Sequence, residues 1–533
     1  MMNTRQHTLL TLAVGLAAAT CAWGVGVPDA HAFCGFYVGG AGANLYNNAT
    51  QVVLMREGTQ TVLSMQNNYQ GPLGDFAMVI PVPRVLSEDD VKTLDKALFD
   101  KIDELSAPRL VEYWEIDPCS QDWYDDRAFG PPQAESTNDS AGGGTGGVVV
   151  EAEFKVGEYE IVILSASEST GLDTWLRTND YNIPDGAEPV LRPYVEGGMY
   201  FFVARIIAEE VQFDDVGQAI LSPLRFHYDA ETFSLPIRLG LISAEDQQDL
   251  LVYILAQGQR YEVANYPNVT IPTNVNVEDA VRNDFAGFYN ALFERTLDVN
   301  PGAVVTEYAW DASTCDPCPG PTLDSSDITT LGGDVALNGE PNSQWGRGWV
   351  LTRLHARYGA DDVGEDLVFR EAEAIAGGRE FITDDGELEE GSVPWEFNNF
   401  QGRYAIRHAW DGPVTCDNPQ YGRWGGPPGN EGDIGNPQSA ESPNTTGEDY
   451  RGMDAALEQL VAEPVPEIGV IPGQPLPPPD GNGGFETPGS EQGGGSNSSS
   501  SGCAALTGGS ALPIGVLVLM ALGWARVVSR RRL

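Results

Sequence analysis

Residues 51–65, QVVLMREGTQTVLSM, contain two runs of β-branched and apolar residues, at 51–56 and 61–65. Between the runs, Glu57-Gly58-Thr59 places a glycine where the chain must reverse direction. Short β-rich runs joined by a few residues that include glycine are typical of a β-hairpin. The stretch therefore predicts two antiparallel strands, and with them a protein built around sheet.

Apolar, β-rich runs recur on both sides of this hairpin. They predict further strands at residues 75–82, 110–114, 148–154, 159–164 and 199–207. Residues 248–256 fit either a strand or a helix, because an apolar run of that length satisfies both patterns.

Helical periodicity is clearest after Ser87, where Asp90 stands at the third position of a capping box. Apolar residues then recur at steps of three and four, and predict one helix face packed on the sheet: Val91, Leu94, Leu98, Ile102 and Leu105. Shorter helices are predicted at 172–178 and 283–297. The predicted fold class is α+β, strand-dominated, with a few packed helices.

The N-terminal residues 1–32 have the pattern of a secretory signal. Arg5 precedes an apolar run from about residue 9 to residue 27, and Ala30 and Ala32 fit the small-residue rule for signal peptidase. The pattern predicts cleavage after Ala32; an uncleaved membrane anchor is the alternative.

The C-terminal end has three parts in succession. Residues 463–502 are rich in Pro, Gly and Ser and predict a disordered spacer. Residues 504–525 carry no charge and match one bilayer span as a helix. Arginines in the basic tail 526–533 predict a cytoplasmic C-terminus and an exterior N-terminal bulk.

Between these ends, residues 33–425 form the predicted exported domain. The Gly-rich segment 131–147 marks a boundary between two intimate subdomains, if the domain is divided. Residues 426–503 are predicted to be a low-complexity region and spacer.

The chain is strongly acidic, with a net charge of −47, and close to −51 once the four tail arginines are set aside. Such self-repulsion argues against nucleic acid or an anionic membrane surface as a partner. A solvated acidic surface explains the charge without a specific site.

Five cysteines lie between the two terminal signals: Cys34, Cys119, Cys315, Cys318 and Cys416. In an oxidising compartment, this odd number predicts two disulfides and one free thiol, with Cys34–Cys119 weakly preferred. Cys315 and Cys318 form a C-x-x-C, for which a disulfide is favoured over a redox pair or half a zinc site.

Two stretches place His and charged residues at alternate positions, and therefore on one face of a strand. They are Arg225, His227 and Asp229, and Arg353, His355 and Arg357. Such stripes can bind an anionic or sugar ligand. The alternative, which we favour, is that the scarce arginines pair with Asp and Glu to hold strands together.

No hydrolase, zinc-protease or phosphate-binding motif occurs in the sequence. We therefore assign no catalytic residue, no metal ligand and no cofactor. Paired carboxylates of a glycan hydrolase need no local motif, so that activity remains an alternative.

The tail resembles the tripartite sorting signals of myxobacterial surface proteins, because Cys503 precedes the apolar span and the arginine cluster. The resemblance implies a sorting protease of the myxosortase type as a partner, acting at Cys503. Either the span is retained in the membrane, or it is removed during sorting.

Segments spread over about residues 33–380 resemble the bacterial domain-of-unknown-function family 2330. They include Phe33-Cys34-Gly35-Phe36-Tyr37-Val38, Val79-Ile80-Pro81-Val82-Pro83, Phe201-Phe202-Val203-Ala204-Arg205 and Leu224-Arg225-Phe226-His227-Tyr228. The resemblance implies an exported bacterial protein and brings no activity. We expect a surface-anchored, non-enzymatic binding or structural module with an unknown ligand. A glycan hydrolase, or a metal- or thiol-dependent factor using Cys315 and Cys318, are the alternatives.

Overall fold

The computed structural model describes residues 36–38, 46–70, 77–120, 149–179, 187–213, 219–243, 247–336, 348–359, 364–381, 388–426, 438–439 and 456–474. The expected signal with its cleavage site, Cys34, the segment 131–147, the part of the expected spacer beyond 474, the span 504–525 and Cys503 lie outside these residues. The prediction of a disordered spacer is wrong for residues 463–474, because Val465, Ile468 and Val470 are buried in a hydrophobic core. Within the described part of the chain, none of the helices has the length and apolar character needed to cross a bilayer.

Strands dominate the structure. In chain order they are β1 Phe36–Val38, β2 Tyr46–Glu57, β3 Gln60–Gln70, β4 Ala77–Val82, β5 Val91–Thr93, β6 Arg109–Glu115, β7 Val149–Val156, β8 Tyr159–Ser165, β9 Tyr200–Ile206, β10 Gln212–Phe213, β11 Ala219–Ile220, β12 Leu224–Asp229, β13 Ser234–Leu235, β14 Gln248–Gln257, β15 Arg260–Val263, β16 Asn268–Thr270, β17 Val275–Asn276, β18 Val304–Asp311, β19 Trp349–Tyr358, β20 Leu367–Ala372, β21 Ile375–Gly377, β22 Ser392–Pro394, β23 Asn399–Gln401, β24 Arg403–His408, β25 Trp424–Gly425 and β26 Gln438–Ser439.

The helices are few and mostly short. They are α1 Lys96–Ser106, α2 Ser169–Thr178, α3 Ala187–Glu196, α4 Phe285–Val299, α5 Ser325–Ile328, α6 Asp334–Ala336 and α7 Leu457–Leu460. In the described residues, 3₁₀ turns at Glu88–Asp90, Arg238–Ser243, Asp279–Asn283 and Pro466–Ile468 and a π turn at Thr329–Gly333 add to them.

The hairpin predicted at residues 51–65 is confirmed as β2 and β3, which pair antiparallel from Glu57↔Gln60 outward. Gly58 closes the turn with φ +58°, a conformation that a residue without Cβ adopts at little cost. The hairpin lies within an eleven-stranded sheet, where β2 also pairs parallel with β14. The ambiguous run at 248–256 is therefore a strand.

The eleven-stranded sheet is covered on both faces. Alternate residues such as Val52 and Leu54 face a five-stranded sheet, β1-β4-β9-β8-β7, across a shared hydrophobic core. Their neighbours Val53 and Met55 face α1 and the helical segment 325–336. Helices α2 and α3 cover the outer face of the five-stranded sheet. Because the two sheets lie between two helical layers, both faces of their strands are buried. This explains why the sequences of these strands are nearly continuous apolar runs.

A second core lies where α4 packs between the edge of the main sheet and a sheet ordered β17-β24-β6-β25. Phe288 and Leu292 on α4 are fully buried against Tyr404 of β24 and Phe400 of β23. Burying each such side chain stabilises the fold by about 1.5–3 kcal/mol. This packing holds α4 over the polar residues described below.

The helix predicted to begin after Ser87 is wrong at its start. The Ser87 N–H and hydroxyl both donate to the Asp90 carboxylate at 2.7 Å, but the turn they close is a single 3₁₀ turn. Strand β5 follows, so Val91 lies on a strand. The prediction failed for two reasons. A capping pair of this kind can close a single 3₁₀ turn as well as a helix. The apolar residue Val91 of β5 also has the spacing of the helix that follows.

The helix itself, α1, begins at Lys96 and is capped by Asp95, whose carboxylate accepts from the Ala97 N–H at 2.9 Å. Its buried face includes Leu98, Ile102 and Leu105. The second half of the predicted apolar stripe is therefore confirmed.

Candidate functional site

Arg353, His355 and Arg357 share one face of β19, as their alternation predicts, and this face lies beneath α1 and α4. The Arg353 Nε donates to Glu307 Oε2 at 2.6 Å, and its Nη1 donates to Asp103 Oδ1 at 2.6 Å. Tyr253 donates its hydroxyl to the same Asp103 oxygen at 2.7 Å. The Arg353 and Glu307 side chains are both 0% exposed.

His355 continues this arrangement along the strand. Its Nδ1 lies 2.8 Å from Glu307 Oε1 and its Nε2 lies 3.2 Å from Asp249 Oδ1. Its ring stacks on Phe293 of α4, with centroids 4.0 Å apart. Arg357 Nε donates to Asp249 Oδ1 at 2.7 Å. We call Asp103, Arg353, Glu307, His355, Asp249 and Arg357 the buried ionic row.

The charges of the row set the protonation of its members. Burial alone would raise the pKa of Glu307, but His355 and Arg353 outweigh burial and hold that pKa at about 2. Burial would lower the pKa of His355, but the carboxylates of Glu307 and Asp249 raise it above the ordinary value of 6.5. The two carboxylates therefore favour the cationic form of His355.

A histidine between two carboxylates has the composition of a general acid–base site, but here it has no access to solvent. Glu307 is fully buried, and Tyr289 of α4 donates its hydroxyl to the same carboxylate that binds His355. A general base must come within hydrogen-bond reach of its substrate. In this arrangement the row ties β14, β18 and β19 to α1 and α4.

The other stripe, Arg225, His227 and Asp229, lies on β12. Arg225 is buried, pairs with Asp334 and donates to the Thr330 carbonyl at 2.8 Å. His227 Nε2 lies 3.2 Å from Asp90 Oδ1, and burial lowers the pKa of this histidine. Asp229 is exposed and accepts from the Thr59 hydroxyl at 3.2 Å. These partners of the β12 stripe, Asp334, Thr330, Asp90 and Thr59, are not members of the buried ionic row.

The four cysteines among the described residues form the disulfides Cys119–Cys416 and Cys315–Cys318. The preference for Cys34 with Cys119 is wrong, because Cys416 follows β24 and returns to the residues that follow β6, its neighbour in the sheet. No set of three His, Cys, Asp or Glu side chains in the described part of the chain is arranged to hold a metal ion.

Sequence reasoning missed an exposed group of rings at the edge of the main sheet, just after β21 and β22. Trp395, Phe381 and Phe397 are 40%, 42% and 58% exposed. The Trp395 ring meets Phe381 and Phe397 edge-on, with centroids 6.2 and 6.5 Å apart. The Arg379 guanidinium lies 4.9 Å from the Phe381 centroid and 4.7 Å from that of Trp395. We call these four residues the aromatic cluster.

An ion pair and several hydrogen bonds hold the backbone that carries the cluster. Arg379 forms a two-bond ion pair with Glu389, which neutralises its charge. Asn274 Nδ2 donates to the backbone carbonyls of Arg379 at 2.9 Å and Glu389 at 2.6 Å. Arg403 in turn donates to Asn274 Oδ1 at 2.8 Å. These bonds hold both ends of the segment that carries Phe381.

An open cleft of about 340 Å³ is lined in part by Ala374 and by Asn398, the residue after Phe397 in the chain. Its polar lining residues are Gln259, Glu371, Glu373 and Asn398. The Trp395 N–H donates to the carbonyl of Ala374 in the cleft wall at 3.0 Å. The rings and the cleft therefore share one stretch of backbone.

A signal for the cluster was present in the sequence. Trp395 and Phe397 alternate with charged or polar residues in a segment rich in Glu and Asn, where aromatic side chains have no core pattern to serve. Aromatic residues outside a periodic apolar pattern are candidates for a binding surface.

One comparison with known proteins gives a match. The model of a bacterial family described as "Uncharacterized protein conserved in bacteria" (DUF2330) matches residues 28–370, which is more than half of the chain. No curated protein and no solved structure matches the chain. The matched range contains every residue of the buried ionic row and ends before the aromatic cluster.

Proposed function

The chain belongs to the DUF2330 family of uncharacterised bacterial proteins, and from that premise we propose that it is a non-enzymatic binding module displayed on the bacterial cell envelope. The aromatic cluster carries this proposal. Soluble proteins rarely leave contiguous large apolar side chains exposed unless a partner covers them. Hydrogen bonds also hold the backbone at Arg379 and Trp395 before any ligand arrives, which reduces the entropy lost on binding.

The ends of the sequence support display on the envelope. The signal pattern in residues 1–32 and the apolar span with its arginine tail favour an exported chain tethered through residues 504–525 or sorted at Cys503. Signal peptidase and a sorting protease are then partners during export. The charge of −47 favours neutral or cationic ligands over nucleic acid.

Co-sedimentation of the purified exported chain with washed envelopes of the producing bacterium tests the proposal. We expect saturable binding that is lost in a Trp395→Ala/Phe397→Ala variant. The matched control is Tyr421→Ala, which removes a ring that is 59% exposed and lies outside the cluster. Absence of saturable binding, or no labelling of intact cells by a membrane-impermeant reagent, would overturn the proposal.

A glycan hydrolase is the second candidate, because Glu371 and Glu373 line the same cleft. Glycosidases use two carboxyl groups on either side of the scissile bond. If the cleft hydrolyses its ligand, the chain releases reducing ends from envelope glycans, and Glu373→Gln slows that release at least ~100-fold. Binding without release of reducing ends eliminates this candidate.

A further inference from the structure

We infer that the aromatic cluster and the cleft together form one site for a glycan chain whose sugars are neutral or carry amino groups. This inference rests on the proposed function and names its ligand. It follows from three properties of the site: the exposed rings, the polar groups beside them and the local charge.

The rings supply apolar faces of limited size. Phe397 is 58% exposed, and Trp395 and Phe381 are each about two-fifths exposed. A pyranose ring has a face of C–H groups that packs against an aromatic ring and is attracted by its negative face. The Arg379 guanidinium lies against both Phe381 and Trp395 and helps to fix the orientation of these two rings.

The cleft supplies hydrogen-bonding groups beside this apolar platform. Asn398 presents an amide, and Glu371 and Glu373 present carboxylates. The Asn398 side chain is fixed, because its Oδ1 accepts from the Ile375 N–H at 3.2 Å. Sugar hydroxyls both donate and accept, and they match a site that combines rings with a few placed polar groups.

The local charge selects among glycans. The cation of the cluster, Arg379, is already paired with Glu389. The two cleft carboxylates then leave the site negative, within a chain whose net charge is −47. Anionic sugars are repelled, neutral sugars are accepted, and an amino group on a sugar gains a favourable interaction with the carboxylates.

Calorimetric titration of the purified exported chain tests this inference with three hexasaccharides: a glucosamine hexamer, cellohexaose and a galacturonic acid hexamer. We expect the glucosamine hexamer to bind most tightly, cellohexaose more weakly and the galacturonic acid hexamer not at all. Phe397→Ala should weaken both binding ligands about tenfold. Glu373→Gln should weaken the glucosamine hexamer alone, and Tyr421→Ala should change neither.

The outcomes separate this inference from the proposed function. If no hexasaccharide binds while envelope binding persists and still requires Phe397, the ligand is a protein or another polymer and the glycan inference is overturned. If the galacturonic acid hexamer binds most tightly, the charge argument is wrong. If envelope binding itself is absent, the proposed function fails first. Unfolding midpoints of each variant that match the parent chain exclude misfolding as the cause.

Discussion

The buried ionic row and the aromatic cluster each lie where their residue types are uncommon: the charged residues are buried and the aromatic residues are exposed. The row contains the residues that ordinarily perform catalysis or bind anions, and it is sealed between the sheet and α4. The cluster contains the residues that ordinarily fill a core, and it is exposed at the sheet edge. Each therefore has to be understood from its environment rather than from its residue types.

The two regions also differ in how they are held. In the row, every charge has an opposite charge within hydrogen-bond distance, and the arrangement joins three strands to two helices. In the cluster, one ion pair and one asparagine hold the backbone, while the rings contribute little burial. The row should therefore govern stability, and the cluster should govern binding.

The largest effect is expected from Glu307→Gln. Removing this carboxylate leaves Arg353 and His355 buried without their shared anion, and breaking a buried pair in this way costs about 3–5 kcal/mol. Urea unfolding of the parent and variant chains measures the loss. Ligand binding at the cluster by any folded fraction should keep its affinity.

The control for this change is Glu160→Gln, at an exposed residue of β8. A surface charge without a buried partner should change stability by less than about 0.5 kcal/mol. Equal midpoints for Glu307→Gln and Glu160→Gln would mean that the row does not govern stability.

The second largest expected effect is that the stability contributed by the row depends on pH and falls at both acid and alkaline pH. Glu307, with a pKa of about 2 in the folded chain against an ordinary 4.5, stabilises the fold above pH 4.5 and loses this contribution as the pH falls toward 2. His355, with a raised pKa in the folded chain, stabilises it below pH 6.5 and loses this contribution as the pH rises through the raised value. Each unit of pKa shift corresponds to about 1.4 kcal/mol.

Unfolding midpoints between pH 3 and 9 check this pH dependence in the parent chain and in His355→Gln. In the parent chain the unfolding midpoint should fall at alkaline pH, because His355 loses its proton. The variant should lack this fall. His408→Gln, at a histidine whose side chain is 27% exposed, is the matched control. Parallel curves for the parent and His355→Gln would contradict a charged, buried His355.

The smallest effect on stability is expected from Phe397→Ala. The ring is 58% exposed, so its removal should change the free energy of unfolding by less than about 0.5 kcal/mol. The same variant should weaken envelope binding about tenfold. A large loss of stability with unchanged binding would reverse the roles of the two regions.

Much of the fold follows from local pattern. The hairpin of β2 and β3, the strands β8 and β9 and the helix α4 match their predictions, because their apolar residues recur with the period of the element. The start of α1 was misplaced, because Ser87 closes a turn rather than a helix. Helix α3 was not predicted, and Pro193 within it explains why.

The site was harder to predict, because its partners come from distant residues. Alternation correctly placed Arg353 and His355 on one face. It gave no indication that Glu307 and Asp249 flank His355, since these pairs depend on how β14, β18 and β19 align. For the same reason the pairing of Cys119 with Cys416 depends on β6 lying beside β24, which no local pattern records.

The pairing of β6 with β24 means that β6 is synthesised long before the strands that pair with it. Strand β6 is made early, yet its parallel partner starts at Arg403, and the later strands β25 and β26 also pair with it. At about 5–20 residues per second, synthesis leaves β6 waiting for roughly 15–60 s. Throughout that interval an apolar strand edge around Leu110 and Val111 is open to wrong partners. The second sheet is completed last, and the hazard for this chain lies in the delay before its final strands arrive.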